Sequence, residues 1–157
     1  MPNTFQGALT APTGRFAVVA SRFNQSVVEK LVGGALEGFK QHGIPDEAID
    51  LVWVPGSFEI PLVAERLAAS RKYVAVICLG AVIRGETDHY EYVARAAAEG
   101  VAQAGLTTGV PVIFGVLTCA TEEQAMDRAG GKEGNKGFEA VVTAIEMVNL
   151  LKQLPAG

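Results

Sequence analysis

Charge is scarce in this sequence: charged residues make up 19% of 157, against a usual share of about 25%. Thirteen basic side chains against seventeen acidic ones leave a net charge of −4, which excludes a nucleic-acid binder relying on bulk charge. Cysteine is scarcer still. Cys78 and Cys119 lie far apart, each inside an apolar stretch, so a disulfide framework is excluded and both read as buried core thiols of a reducing cytosol. The longest apolar run, residues 73–83, falls short of the ~20 residues a membrane span requires. The first fifteen residues lack the basic start and apolar core of a secretory signal, so the expected location is the cytoplasm. Several motifs are missing as well. No G-x-G-x-x-G follows the first apolar run and no G-x-x-x-x-G-K-[ST] occurs, which removes support for dinucleotide and nucleoside-triphosphate folds. No His/Cys group has zinc spacing, and no serine sits in a nucleophile elbow.

Apolar residues, by contrast, are abundant. They make up 49% of the chain and its mean hydropathy is +0.26, high for a small protein. That excess points to apolar surface reserved for other subunits, or to an apolar ligand pocket. The length suits one domain over residues 1–157, and no repeat or linker-like composition divides it.

Short strand-like runs alternate with longer segments of helical period. Residues 16–20, 49–54, 73–82 and 110–117 read as strands; residues 26–42, 59–70, 89–105, 122–128 and 139–154 read as helices. His42 and Gly43 mark the end of the first helix, which Gly33, Gly34 and Gly38 weaken unless a neighbouring backbone packs closely there. The order β-α-β-α-β-α-β-α predicts a three-layer α/β/α sandwich around a parallel four-stranded sheet, with an extra N-terminal edge strand over residues 4–9. In such sheets ligands bind at the carboxyl ends of the strands.

Four segments lie at those ends. In Ser21-Arg22-Phe23-Asn24, Phe23 either stacks on a flat heterocycle or acts as a hydrophobic staple with Asn24 as the helix cap. In Pro55-Gly56-Ser57-Phe58-Glu59, Ser57 and Glu59 either cap the next helix or meet a polar ligand edge. The stretch GAVIRGETDHY is the most informative. Gly85 permits close backbone approach, and Glu86 and Thr87 lead into a helix whose free N–H groups suit a phosphate. His89 opens that helix with a side chain suited to proton transfer near neutrality; the plain alternative is an exposed residue behind a Thr87/Asp88 cap. Phe114 reads as core on periodicity alone. Arg128 can fork onto phosphate oxygens, with Lys132 and Lys136 nearby, or belong to a solvated glycine-rich loop over residues 127–137.

Taken in order, ASRFN, PGSFEIP, GAVIRGETDHYEYV, FGVLT and DRAGGKEGNKGFEA resemble the lumazine synthase family over residues 5–154. The resemblance implies a flavodoxin-like fold and the condensation of 5-amino-6-(D-ribitylamino)uracil with 3,4-dihydroxy-2-butanone 4-phosphate. The products are 6,7-dimethyl-8-ribityllumazine, phosphate and water, in the penultimate step of riboflavin biosynthesis. By the same resemblance Phe23 stacks on the pyrimidine, Ser57, Phe58 and Glu59 with Ala81, Val82 and Ile83 hold the ribityl chain and ring edges, and His89 transfers protons. Glu86 and Thr87 form the phosphate turn, while Phe114 and Arg128 come from an adjacent subunit, Arg128 meeting the phosphate. No metal and no cofactor is implied, because the substrate's own amine attacks the ketone. The implied assembly is a homopentamer. A compact turn at residues 131–137 resembles members that close sixty subunits into an icosahedral shell, able to enclose riboflavin synthase; no nucleic acid or membrane partner is implied. Two other readings stay open: an archaeal-type riboflavin synthase on the same scaffold, and a non-catalytic shell or flavin-binding protein.

Overall fold

The computed structural model describes residues 1–156. Its strands are β1 (Phe16–Ser21), β2 (Ile49–Val54), β3 (Ala75–Ile83) and β4 (Val112–Cys119), followed by a short pair, β5 (Ala129–Gly131) and β6 (Gly134–Asn135). Between and after them run α1 (Gln25–Gln41), α2 (Ile60–Ala69), α3 (His89–Thr108), α4 (Glu122–Asp127) and α5 (Lys136–Gln153). The main sheet is wholly parallel with strand order β2-β1-β3-β4. It is flanked by helices on both sides, the α/β sandwich of flavodoxin-like folds.

Strand alternation builds both halves of the core. Phe16, Val18 and Ala20 of β1, with Ile77 and Leu79 of β3, face α1 and α5; Ala17 and Val19, with Val76 and Cys78, join Ile60 and Ala64 of α2 and Val101 of α3. β1 is therefore buried on both faces, which is why it reads as an unbroken apolar run. The helix pair α1–α5 packs backbone against backbone: a Cβ on Gly137 would overlap the Leu31 carbonyl, and one on Gly38 would press on Val141. Gly38 and Gly34, the latter against the Asn135 side chain, answer to that seam, whereas a Cβ on Gly33 would meet open space. Among the described residues, no helix is long and apolar enough to cross a membrane.

Three expectations need correction. Residues 4–9 form no strand. Within the chain they reach no sheet edge and lie along α5, where Gln153 donates to the Gln6 carbonyl and Asn149 to those of Ala8 and Thr10. Extended-looking sequence specifies reach, not a pairing partner. The glycine-rich segment is not a plain loop either, since β5 and β6 pair antiparallel within it. Finally, α5 starts at Lys136, three residues before the expected Glu139, because the Asn135 side-chain amide oxygen accepts from the N–H groups of Gly137 (2.8 Å) and Phe138 (3.1 Å).

Candidate functional site

Chain direction around β1 sets the site. The crossover from β1 runs one way to β2, and the next returns past β1 to β3, so the carboxyl ends of β1 and β3 diverge and leave a crevice. A cleft of about 690 Å³ lies there, lined by residues from the ends of β1, β2 and β3 and the start of α3.

The loop after β1 is tied down twice. Arg22 N–H donates to the Val54 carbonyl (2.8 Å) and Phe23 N–H to that of Pro55 (3.0 Å). Asn24 then turns into left-handed backbone (φ 61°), a conformation that costs a non-glycine residue energy. Its side chain makes no helix cap; the amide donates instead to the Ala81 carbonyl at 2.8 Å, joining this loop to the end of β3. Phe23 is left 72% exposed at the cleft wall, so it cannot be the staple that packs on the buried Val28.

Opposite it, Pro55-Gly56 leads into a 3-10 turn over Ser57–Glu59 that precedes α2. Ser57 is buried, whereas Phe58 and Glu59 are exposed on the cleft side. Ala81, Val82 and Ile83 supply the floor, and Gly85, Thr87, His89, Tyr90 and Val93 the remaining wall. His89 is the first residue of α3 and is exposed, while its N–H leans on the Thr87 hydroxyl (3.4 Å). Asp88 stands at the cap position without a side-chain capping bond. Glu86 lies in a small adjoining hollow with Arg84, Thr87 and Glu91 rather than in the cleft. Arg84 spans this end, its guanidinium 5.3 Å over the Tyr90 ring and 3.6 Å from Glu91.

Phe114 and Arg128 are not brought into this cleft. They share a second groove of about 400 Å³ along β4 with Cys119, Lys136 and Glu139. Arg128 is half-buried and oriented by α4: its guanidinium donates to the Gln124 carbonyl (3.0 Å), and the Thr121 hydroxyl caps that helix at Gln124 N–H (3.1 Å). Lys136 N–H holds the Arg128 carbonyl at 2.8 Å, so the β5–β6 hairpin closes behind it.

The model of the 6,7-dimethyl-8-ribityllumazine synthase family matches residues 13–152, nearly the whole chain. The chain belongs to that family. Lumazine synthases are enzymes of the transferase type in riboflavin biosynthesis, and the family assembles as oligomers. Within this lumazine synthase-family chain, the residues expected to meet the pyrimidine and ribityl chain, together with Thr87 and His89, surround one cleft, whereas Phe114 and Arg128 stand apart. Sequence reasoning missed Tyr90 and Val93 as lining residues. The signal was available: helical spacing sets residue 93 one turn beyond His89, on the same face of α3. It also read Asn24 as a cap. Both thiols are buried as expected; burial pushes the Cys78 thiol up to about 12 and raises Cys119, the latter opposed by the Arg128 charge.

Proposed function

We propose that this lumazine synthase-family enzyme condenses 5-amino-6-(D-ribitylamino)uracil with 3,4-dihydroxy-2-butanone 4-phosphate, releasing phosphate and water. The observation that carries this reading is the exposed Phe23 ring held across the cleft from the β3 floor, with the 85–89 turn at one side. A large apolar ring kept in solvent by two backbone bonds and an Asn24 tether is suited to stacking on a flat ligand. Ser57, Phe58 and Glu59, with Ala81, Val82 and Ile83, take the ring edges and ribityl chain. Backbone N–H groups at Glu86 and Thr87 take the phosphate.

The chemistry asks little more of the protein. The substrate amine attacks the ketone, water leaves as the C=N bond forms, phosphate departs, and ring closure expels further water. His89, at the cleft mouth, carries protons between the nitrogen, the oxygens and solvent. Alignment of the two substrates supplies the rest. No cofactor or metal takes part. Phe114 and Arg128 complete the neighbouring copy's cleft, and Arg128 contributes a charge-assisted clamp on the phosphate. The unit of function is then a ring, proposed as a homopentamer, with closure into a sixty-subunit shell that can enclose riboflavin synthase. The whole of residues 1–157 is assigned to one domain, and the two free thiols favour the cytoplasm.

Incubating the purified protein with both substrates and separating the products tests the assignment. Formation of 6,7-dimethyl-8-ribityllumazine is expected. Conversion of that lumazine to riboflavin instead would reassign the enzyme, and no turnover of either kind would leave a binding or shell protein.

A further inference from the structure

Two hollows meet at the start of α3. Gly85, Thr87 and Tyr90 line both the cleft and the smaller hollow of about 190 Å³ beside it. The cleft lining holds no lysine or arginine, and the smaller hollow holds one cation, Arg84, against the carboxylates of Glu86, Asp88 and Glu91. Among the described residues, Arg84 is thus the one permanent cation lining this chain's own end of the site, since Arg128 lies in the second groove. Its backbone is pinned: Arg84 N–H donates to the Cys119 carbonyl at 2.9 Å. Its charge is left largely uncancelled. The ion pair with Glu91 is loose at 3.6 Å, whereas Arg15 meets Asp50 at 2.6 Å. The guanidinium rests over the Tyr90 ring, 5.3 Å from its centre, and a neutral ring attracts a cation without neutralising it.

We infer that Arg84 is a specificity-determining residue for the phosphorylated four-carbon substrate: across the smaller hollow its guanidinium attracts the phosphate dianion to the N–H groups of the 85–87 turn. The inference rests on the proposed function, in which that turn receives the phosphate. A dianion approaching the exposed Glu86, Asp88 and Glu91 is repelled, and a helix N-terminus offers only about half a charge against them. Arg84 supplies a full positive charge at that point, from the same chain as the turn. The pyrimidine substrate carries no phosphate and is assigned to the Phe23 side of the cleft, so the two substrates should feel Arg84 unequally. The attraction acts through space on charge and does not depend on the shape of the guanidinium.

Steady-state kinetics of the purified, assembled protein with both substrates tests this, using Arg84→Gln and Arg84→Lys at low ionic strength and again at about 1 M salt, where screening cuts the reach of a charge to about 3 Å. At low salt Arg84→Gln should raise the KM of the phosphorylated substrate roughly 2–5-fold, the scale of a solvent-exposed charge interaction, with the KM of the pyrimidine unchanged. Inorganic phosphate, used as a competing anion, should inhibit that variant more weakly by a similar factor. Arg84→Lys keeps the charge and should restore both values, and high salt should bring wild type and Arg84→Gln together. An unchanged KM in Arg84→Gln, a lysine variant as impaired as glutamine, equal rises in both KM values, or a loss that salt does not reduce would each overturn the inference. A wild-type protein that forms no lumazine would overturn the proposed function beneath it.

Discussion

Asn135 makes a measurable structural claim. Its side-chain amide oxygen caps two N–H groups of α5, and the amide nitrogen donates to the Lys30 carbonyl on α1 at 3.0 Å. The residue thus starts one helix while fastening it to another more than a hundred positions away in sequence. Replacing it with alanine removes the cap, typically about 1 kcal/mol, and the bond to α1, about another 1 kcal/mol. A loss of about 2 kcal/mol corresponds to roughly 4–8 °C in Tm for a chain of this size. Asn135→Ser separates the two contributions, because serine caps as well as asparagine but is too short to reach Lys30. The expected order of stability is wild type, Ser, Ala, in steps of about 1 kcal/mol. Urea unfolding at fixed protein concentration measures it, since an assembling protein has a concentration-dependent midpoint. Equal stability of the serine and alanine variants would refute the cap; a serine variant as stable as wild type would refute the strap to α1.

The remaining predictions concern the cleft, the second groove and the far end of the sheet. Phe23→Trp should keep pyrimidine binding while Phe23→Ala weakens it by about 1–3 kcal/mol, the usual contribution of ring stacking; unchanged affinity in a titration of the alanine variant would remove the stacking role. His89→Ala should slow turnover by no more than about 10²-fold with pyrimidine affinity retained, as steady-state and binding measurements on one preparation will show. Phe23→Ala and Arg128→Ala chains, each impaired alone, should regain activity when unfolded and reassembled together, because some clefts then combine an intact Phe23 with an intact Arg128 from the neighbour; no recovery would place both in one chain's site. At the opposite end of the sheet, Asp50 accepts from Tyr73 Oη and from Arg15, each at 2.6 Å. The Tyr73 hydroxyl, and then Arg15, hold the Asp50 carboxyl below its ordinary value of 3.8 despite an opposing contribution from burial. A lowered folded-state pKa means stability that is present above pH ~4 and is lost as pH falls further. Wild-type urea midpoints should therefore drop below pH ~4 by an amount that Asp50→Asn does not show. Because the pair is partly exposed, the effect is expected at about 1 kcal/mol or less.

Much of this fold was legible because each main strand is an apolar run and each helix keeps its period. The observed ends of β2 coincide with the expected ones, and α4 ends one residue before the expected Arg128. The failures have two causes. Residues 4–9 depend on partners distant in sequence, such as Asn149 with Ala8, whereas the β5–β6 hairpin and the early start of α5 are local, set by pairing within residues 129–135 and by the Asn135 cap. Local propensity carries no information about the distant pairing, and a glycine-rich run shows no periodicity to read. The same holds in the cleft. That a polar loop after β1 faces a crevice follows from the alternation of elements, but the Asn24–Ala81 bond joins positions 57 apart and could not be read locally. Phe23 shows the reverse case, a residue with two local readings that its exposure separates.

The position of β1 also has a price for the ribosome. β1 is made before the other strands of its sheet and is the most enclosed, walled by β2 and β3 at its edges and by helices over both faces. One of those helices is α5, which emerges more than a hundred residues later. At roughly 5–20 residues per second, synthesis of the intervening chain takes on the order of 10 s, during which the FAVVAS segment lacks its full cover. A nascent chain is therefore adhesive for most of its translation, and a premature stop anywhere before residue 136 would release a fragment with that surface open. Such fragments should depend on holdase chaperones or aggregate, whereas chains that include α5 can close that surface once it has left the exit tunnel.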